Sequence, residues 1–165
     1  MFSVVFPGQG SQSVGMGSEL YKNYGYIKDL FSNADDILGF NLSKLILEGP
    51  KENLDLTEFT QPAIFLVSFS IFEVTKKETE VDLMKAKYFA GHSLGEYSAL
   101  ASSGAIKFEH ALKLLQKRGK AMQMSVPKGK GGMIAVLGTE INKIENLLLE
   151  NQKRYKCYIA NDNSI

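Results

Sequence analysis

The run Gly91-His92-Ser93-Leu94-Gly95 sets a serine between two glycines in a G-x-S-x-G pattern. Tyr88 to Ala90 reads as a short strand before it, and Leu94 to Ser103 as a helix after it, stopped by Gly104. In that strand-turn-helix context the pattern is a nucleophile elbow. The turn needs small residues beside the serine because its backbone is crowded. The serine then projects, and amides at the helix start can stabilise an oxyanion. The plainer alternative is a glycine-rich turn.

A second constellation is Phe6-Pro7-Gly8-Gln9-Gly10-Ser11-Gln12. Phe2 to Phe6 reads as a buried strand. Gly8 to Gly17, with four glycines and no apolar period, reads as a loop. Two glycines after a strand invite a dinucleotide-binding reading. It fails, because the third glycine position is Ser13 and no helix follows directly. A phosphate loop fails too, for want of Gly-Lys-Ser or Gly-Lys-Thr. There remain a flexible turn and a rigid loop that presents a backbone amide near Gln9 to a reacting carbonyl.

Arg118 is one of two arginines, with Arg154, among nineteen basic residues. It falls on a helix predicted over Glu109 to Met124, with Ala111, Leu114, Leu115 and Met122 near the same face. A planar guanidinium there suits bidentate capture of a carboxylate. A structural ion pair or a snorkelling stem is the plainer alternative. His92 and His110 are the only histidines. His92 is expected to be a packed or hydrogen-bonded core residue whose ring points away from Ser93, and His110 to be solvated. A serine nucleophile needs a base within hydrogen-bond reach, and the chain offers no good candidate. Two histidines without a cysteine partner do not make a metal site.

The elements that must position these residues follow from periodicity. Glu19 to Leu38 carries apolar residues at helical spacing, interrupted near Gly25, and Leu42 to Leu47 is a shorter helix stopped by Gly49-Pro50. Gln61 to Lys77, apolar on nearly every face, is a buried helix with Pro62 in its first turn. Pro127 to Gly132 reads as a linker. Beyond it, Met133 to Leu137, Ile141 to Glu150 and Tyr155 to Ala160 form a strand, a helix and a strand, a separate small lobe.

The 165 residues, 44% hydrophobic, can bury a sizeable core, since a chain of about 150 residues hides roughly 70% of its unfolded surface. A net charge of +1 argues against nucleic acid as a partner. Cys157 is alone, which excludes an internal disulfide and a thiolate metal cluster and fits a reducing compartment. The N-terminus lacks the pattern of a signal peptide. Ala63 to Val74, broken by Ser68, Ser70 and Glu73, is too short and polar to span a bilayer. A soluble, cytoplasmic protein without a membrane partner is expected.

Taken in order, Phe6 to Gln12, Thr60-Gln61-Pro62-Ala63, Gly91 to Tyr97 and Arg118-Gly119 resemble the malonyl-CoA:acyl carrier protein transacylases. The acyltransferase domains of polyketide and fatty acid synthases share these motifs, and the resemblance runs from Met1 to Ile165. It implies an α/β fold: an α/β-hydrolase-like large subdomain with an inserted ferredoxin-like small one. Residues 1–126 would be the N-terminal part of the first and 127–165 the first half of the second. Ser93 would accept the acyl group, the amides of Gln9 and Leu94 would form the oxyanion hole, and Arg118 would bind the malonyl carboxylate. Gln61 and His92 match residues lining the family's site. Malonyl would pass from malonyl-CoA to Ser93, then to the phosphopantetheine thiol of acyl carrier protein, with no metal or tightly bound cofactor.

The family continues beyond an Asn-Ser pair like Asn163-Ser164 and carries its catalytic histidine and a further glutamine there. The chain therefore resembles an N-terminal half. Slow transfer, self-association and a complementary C-terminal half as partner are the expected consequences. Two other readings stand beside transfer. One is an acyl hydrolase, against which Arg118 argues for a neutral acyl group. The other is a non-catalytic fragment that binds coenzyme A, acyl carrier protein or a complementary chain.

Overall fold

Two short apolar runs, β1 (Ser3–Phe6) and β2 (Tyr88–Gly91), pair in parallel, with Ser3 opposite Tyr88 and Phe6 opposite Gly91. The computed structural model describes residues 1–125 and 130–163. The first half of the predicted linker, residues 127–129, and Ser164 and Ile165 lie outside them. Side chains alternate across a strand, so Val4, Phe6 and Phe89 turn inward onto Phe72, Leu83 and Ala99. Ser3, Val5, Tyr88 and Ala90 stay exposed on the other face.

Parallel strands require a long crossover. Here it runs through α1 (Ser18–Asn23), α2 (Gly25–Leu38), α3 (Leu42–Glu48), α4 (Lys51–Leu54) and α5 (Thr57–Glu78). Tyr24, extended at φ −121°, separates α1 from α2, which accounts for the predicted interruption. Ile27, Phe31, Ala34 and Leu38 form the buried stripe of α2. The helix ends at Gly39, whose φ of 73° suits a residue without a side chain. Asn41 caps α3 by accepting from the Lys44 amide at 2.7 Å.

Helix α5 is the centre of the molecule, buried on almost every face from Thr60 to Val67. It starts at Thr57, four residues before the predicted Gln61, so Pro62 lies in the second turn and not the first. Proline's missing N–H leaves the Glu58 carbonyl without its helical donor, a local cost that burial of the surrounding helix outweighs. Two further helices complete this part, α6 (Gly95–Ser102) and α7 (Phe108–Ser125). Helix α7 packs along α5, with Phe108 against Phe65 and Phe69. Its buried residues are Ala111, Leu112, Leu115 and Gly119. The predicted face is thus turned by about one residue: Leu112 is inside, while Leu114 and Met122 are exposed.

By compactness the chain divides into Met1–Lys128, described so far, and Gly129–Ile165. In the second unit α8 (Ile141–Asn151) agrees with the predicted helix. The strands predicted over Met133 to Leu137 and Tyr155 to Ala160 are not strands. β-rich composition measures fit to a pleated, paired surface, and among the described residues these segments have no ladder partner. Ile134, Leu137 and Tyr158 are each more than four-fifths exposed. Cys157 is exposed too, beside an apolar cleft lined by Leu147, Leu148 and Tyr155. The whole is of the α/β class and rich in helix. Among the described residues no helix is long and apolar enough to cross a membrane.

Candidate active site

The parallel register places the ends of β1 and β2 together, so the loops that leave Phe6 and Gly91 emerge side by side. The His92 amide donates to the Phe6 carbonyl at 3.2 Å and ties the two turns. The carboxyl end of a parallel sheet is where open α/β folds build their sites.

Between β2 and α6 the chain reverses within three residues. Gly95 N–H closes the turn on the His92 carbonyl at 2.9 Å, and Ser93 takes a φ of 56°, the only positive φ outside glycine among the described residues. A non-glycine residue there is strained, and such strain concentrates at functional positions. The flanking glycines are steric requirements. A Cβ on Gly91 would lie 2.0 Å from the Gly95 carbonyl carbon, and one on Gly95 would lie 2.5 Å from the Phe6 carbonyl oxygen. Ser93 stands exposed at the crest.

His92 is also exposed, which corrects the core position expected of it. The turn leaves no interior beside it. Its ring lies over the Gly8 loop, where a Cβ on Gly8 would meet Nδ1 at 2.7 Å. Its side chain forms no hydrogen bond to Ser93, and His110 is exposed on α7.

The partner of Ser93 is Arg118. Its Nη2 donates to Ser93 Oγ at 3.1 Å, and its Nη1 donates to Gln61 Oε1 at 2.7 Å. Gln61 is fully buried in α5 and Arg118 half-buried on α7. No ion pair among the described residues involves Arg118. Close helix approach makes the link. Gly119 lies against the first turn of α5, where a Cβ would stand 2.7 Å from Glu58 Cα and from the Thr57 carbonyl oxygen. A guanidinium is donor-only, so Ser93 Oγ is the acceptor and keeps its own proton to give away.

The Gly8–Gly17 loop is tied down by residues whose role the sequence left unread. Gln12 Oε1 accepts from the Gly10 amide at 2.9 Å, and its Nε2 donates to Asp55 Oδ1 at 2.9 Å. Asp55 pairs with Lys51. Lys51 first, and Gln12 after it, hold the Asp55 carboxyl below its ordinary pKa. Gln9 Nε2 reaches Thr57 Oγ1 at 3.4 Å. The backbone amides of Gln9 and Leu94 have no acceptor among the described residues.

The described residues thus bring a strained serine after a parallel strand into contact with an arginine. Residues 3–164 match the acyl transferase domain family, and the chain belongs to it. Among its relatives, the malonyl CoA-acyl carrier protein transacylase of Haemophilus influenzae is 42% identical over 163 residues, covering 99% of this chain and 52% of that protein. The acyl-carrier-protein S-malonyltransferase of Bartonella henselae has a similar structure, with a TM-score of 0.89 at 39% identity, covering 99% of this chain and 52% of that one. A malonyl-transacylase solved in complex with its type II polyketide acyl-carrier protein matches with a TM-score of 0.82 at 38% identity, covering 93% of this chain and 49% of that one. The chain spans about half the length of the curated relatives it matches.

Proposed function

We propose that these residues form the serine and carboxylate-anchor half of a malonyl transfer site. The reading rests on one observation, the Arg118–Ser93 contact at 3.1 Å across a nucleophile elbow. A guanidinium is spaced to hold a carboxylate while the neighbouring hydroxyl meets the thioester carbonyl at the other end of the same short acyl group. Ser93 Oγ attacks that carbonyl. The amides of Gln9 and Leu94 receive the developing oxyanion, coenzyme A leaves as its thiol, and malonyl-Ser93 remains. The phosphopantetheine thiol of an acyl carrier protein then takes the malonyl group by the reverse sequence. Relatives named for that reaction, one of them bound to an acyl carrier protein, support the choice of substrates.

The proton of Ser93 must go to a base. Among the described residues, His92 lies over the Gly8 loop without a hydrogen bond to Ser93 and Arg118 cannot accept, so this reading assigns the base to a complementary segment of the same fold. On this reading residues 1–126 are the N-terminal part of an α/β-hydrolase-like large subdomain, and residues 127–165 begin a ferredoxin-like small one, which a division into two compact units near this point supports. The same want of a base supports a second reading, in which the chain alone binds malonyl-CoA or the carrier protein without turnover.

Intact-mass spectrometry after incubation with malonyl-CoA tests the first reading. A malonyl adduct that is absent in Ser93→Ala and much reduced in Arg118→Ala is expected. An adduct formed equally well by acetyl-CoA and malonyl-CoA would remove Arg118 as the carboxylate anchor. Saturable binding of malonyl-CoA with no adduct would select the second reading.

A further inference from the structure

Gln61 is fully buried, and among the described residues its carboxamide has two polar partners. One is Arg118 Nη1 at 2.7 Å; the other is Met122 Sδ at 3.2 Å. A guanidinium has no acceptor, so Gln61 Oε1 faces Arg118 and the amide N–H groups face the sulfur. Arg118 and Met122 lie four residues apart on α7, one above the other on the same side of the helix. One helical turn therefore grips both ends of a single carboxamide that belongs to another helix. Met122 is 42% exposed and lies outside the buried core, so its contact with Gln61 is not a by-product of full burial.

We propose that Met122 is a positioning residue. Its thioether accepts from Gln61, which keeps Gln61 Oε1 on Arg118 and so keeps the guanidinium pointed at Ser93. This deepens the carboxylate-anchor reading of Arg118 and rests on it. A thioether is a weak acceptor and has no donor of its own. It therefore holds the N–H end of the carboxamide whose oxygen the guanidinium holds, and competes only weakly for Arg118. Without it, the buried amide N–H groups lack a partner, and the carboxamide is held to Arg118 at its oxygen end alone, so the guanidinium is less firmly fixed.

The test exploits the arginine count. Arg118 and Arg154 are the only two, and Arg154 is exposed. Phenylglyoxal labelling, read residue by residue by mass spectrometry, reports how firmly Arg118 is held, with Arg154 as the internal reference. Arg118 in Met122→Leu is expected to react several-fold faster than in the native chain, as in Gln61→Ala, with Arg154 unchanged. Met122→Gln, which returns an acceptor of similar length, is expected to restore the slow rate. Far-UV circular dichroism checks that each variant is folded. An Arg118 rate in Met122→Leu equal to the native rate overturns the proposal. So does a rate that stays high in Met122→Gln, which would assign the effect to side-chain shape. Protection of Arg118 by malonyl-CoA tests the anchor separately. Absence of protection removes the anchor reading, while the labelling ratios still decide the part played by Met122.

Discussion

Ser93 carries a left-handed backbone, φ 56°, for the sake of its position. A side chain in that region costs about 1 kcal/mol or more, and glycine escapes the cost. Ser93→Gly is therefore expected to be more stable than Ser93→Ala by about 1 kcal/mol in urea unfolding, the reverse of the usual order of these two residues. Both variants lose the proposed nucleophile. If the alanine variant is the more stable, the strain at Ser93 is not real. The tight turn at Ser93 was legible because its demands are local: glycines two residues either side of a serine answer to the same few backbone atoms. The contacts of Arg118 were not. Its partners Gln61 and Ser93 lie 57 and 25 residues away, and only the packing of α7 on α5 and α6 joins them. The expected burial of His92 failed for a related reason, since adjacency to Ser93 in sequence says little about whether a residue at the crest of a turn has an interior to enter.

Helix pairing carries the site, and Gly119 marks where it is tightest. A methyl group there meets the backbone of Thr57 and Glu58 at 2.7 Å, atoms that cannot swing aside. Alanine gains about 1 kcal/mol over glycine in helix propensity, but overpacking costs typically 1–3 kcal/mol and moves the helices apart. Gly119→Ala is expected to lose about 1–2 kcal/mol of stability by urea unfolding. It should also weaken malonyl adduct formation, because Arg118 moves with its helix. The loop that carries Gln9 depends on a charge. The folded pKa of Asp55 is lowered by Lys51 and Gln12, so its tether contributes in full above the ordinary carboxylate range. The contribution is lost as pH falls through the depressed value. Hydrogen exchange at the Gly10 amide should quicken relative to the rest of the chain over that acid range, and Asp55→Asn should abolish the pH dependence. Periodicity made most helices legible, since an apolar stripe is a property of one element. The start of α5 and the segments flanking α8 were misread because they depend on other elements: burial carries α5 through Pro62, and β-rich runs without a ladder stay irregular.

At the scale of the whole molecule, the sheet is the unfinished feature. Parallel sheets are ordinarily covered on both faces. Here one face packs on α5 and α6 through Phe6, Phe72, Phe89 and Ala99, while the other leaves Val5 72% and Tyr88 60% exposed on adjacent strands. Each strand also has an outer edge with no partner among the described residues. Apolar surface of this kind gains by being covered, and by about 25 cal/mol for each Å² removed from water. In the absence of another chain, the available cover is a second copy. The protein is expected to self-associate, with a weight-average mass in sedimentation equilibrium that rises with concentration. Val5→Lys combined with Tyr88→Lys should return it to a monomer without changing its helix content, because both side chains point away from the core. A native chain that remains monomeric at all concentrations would show that the bare face is tolerated. Association that survives the double substitution would place the contact elsewhere, with the exposed apolar residues of Gly129–Ile165 as the next surface to alter.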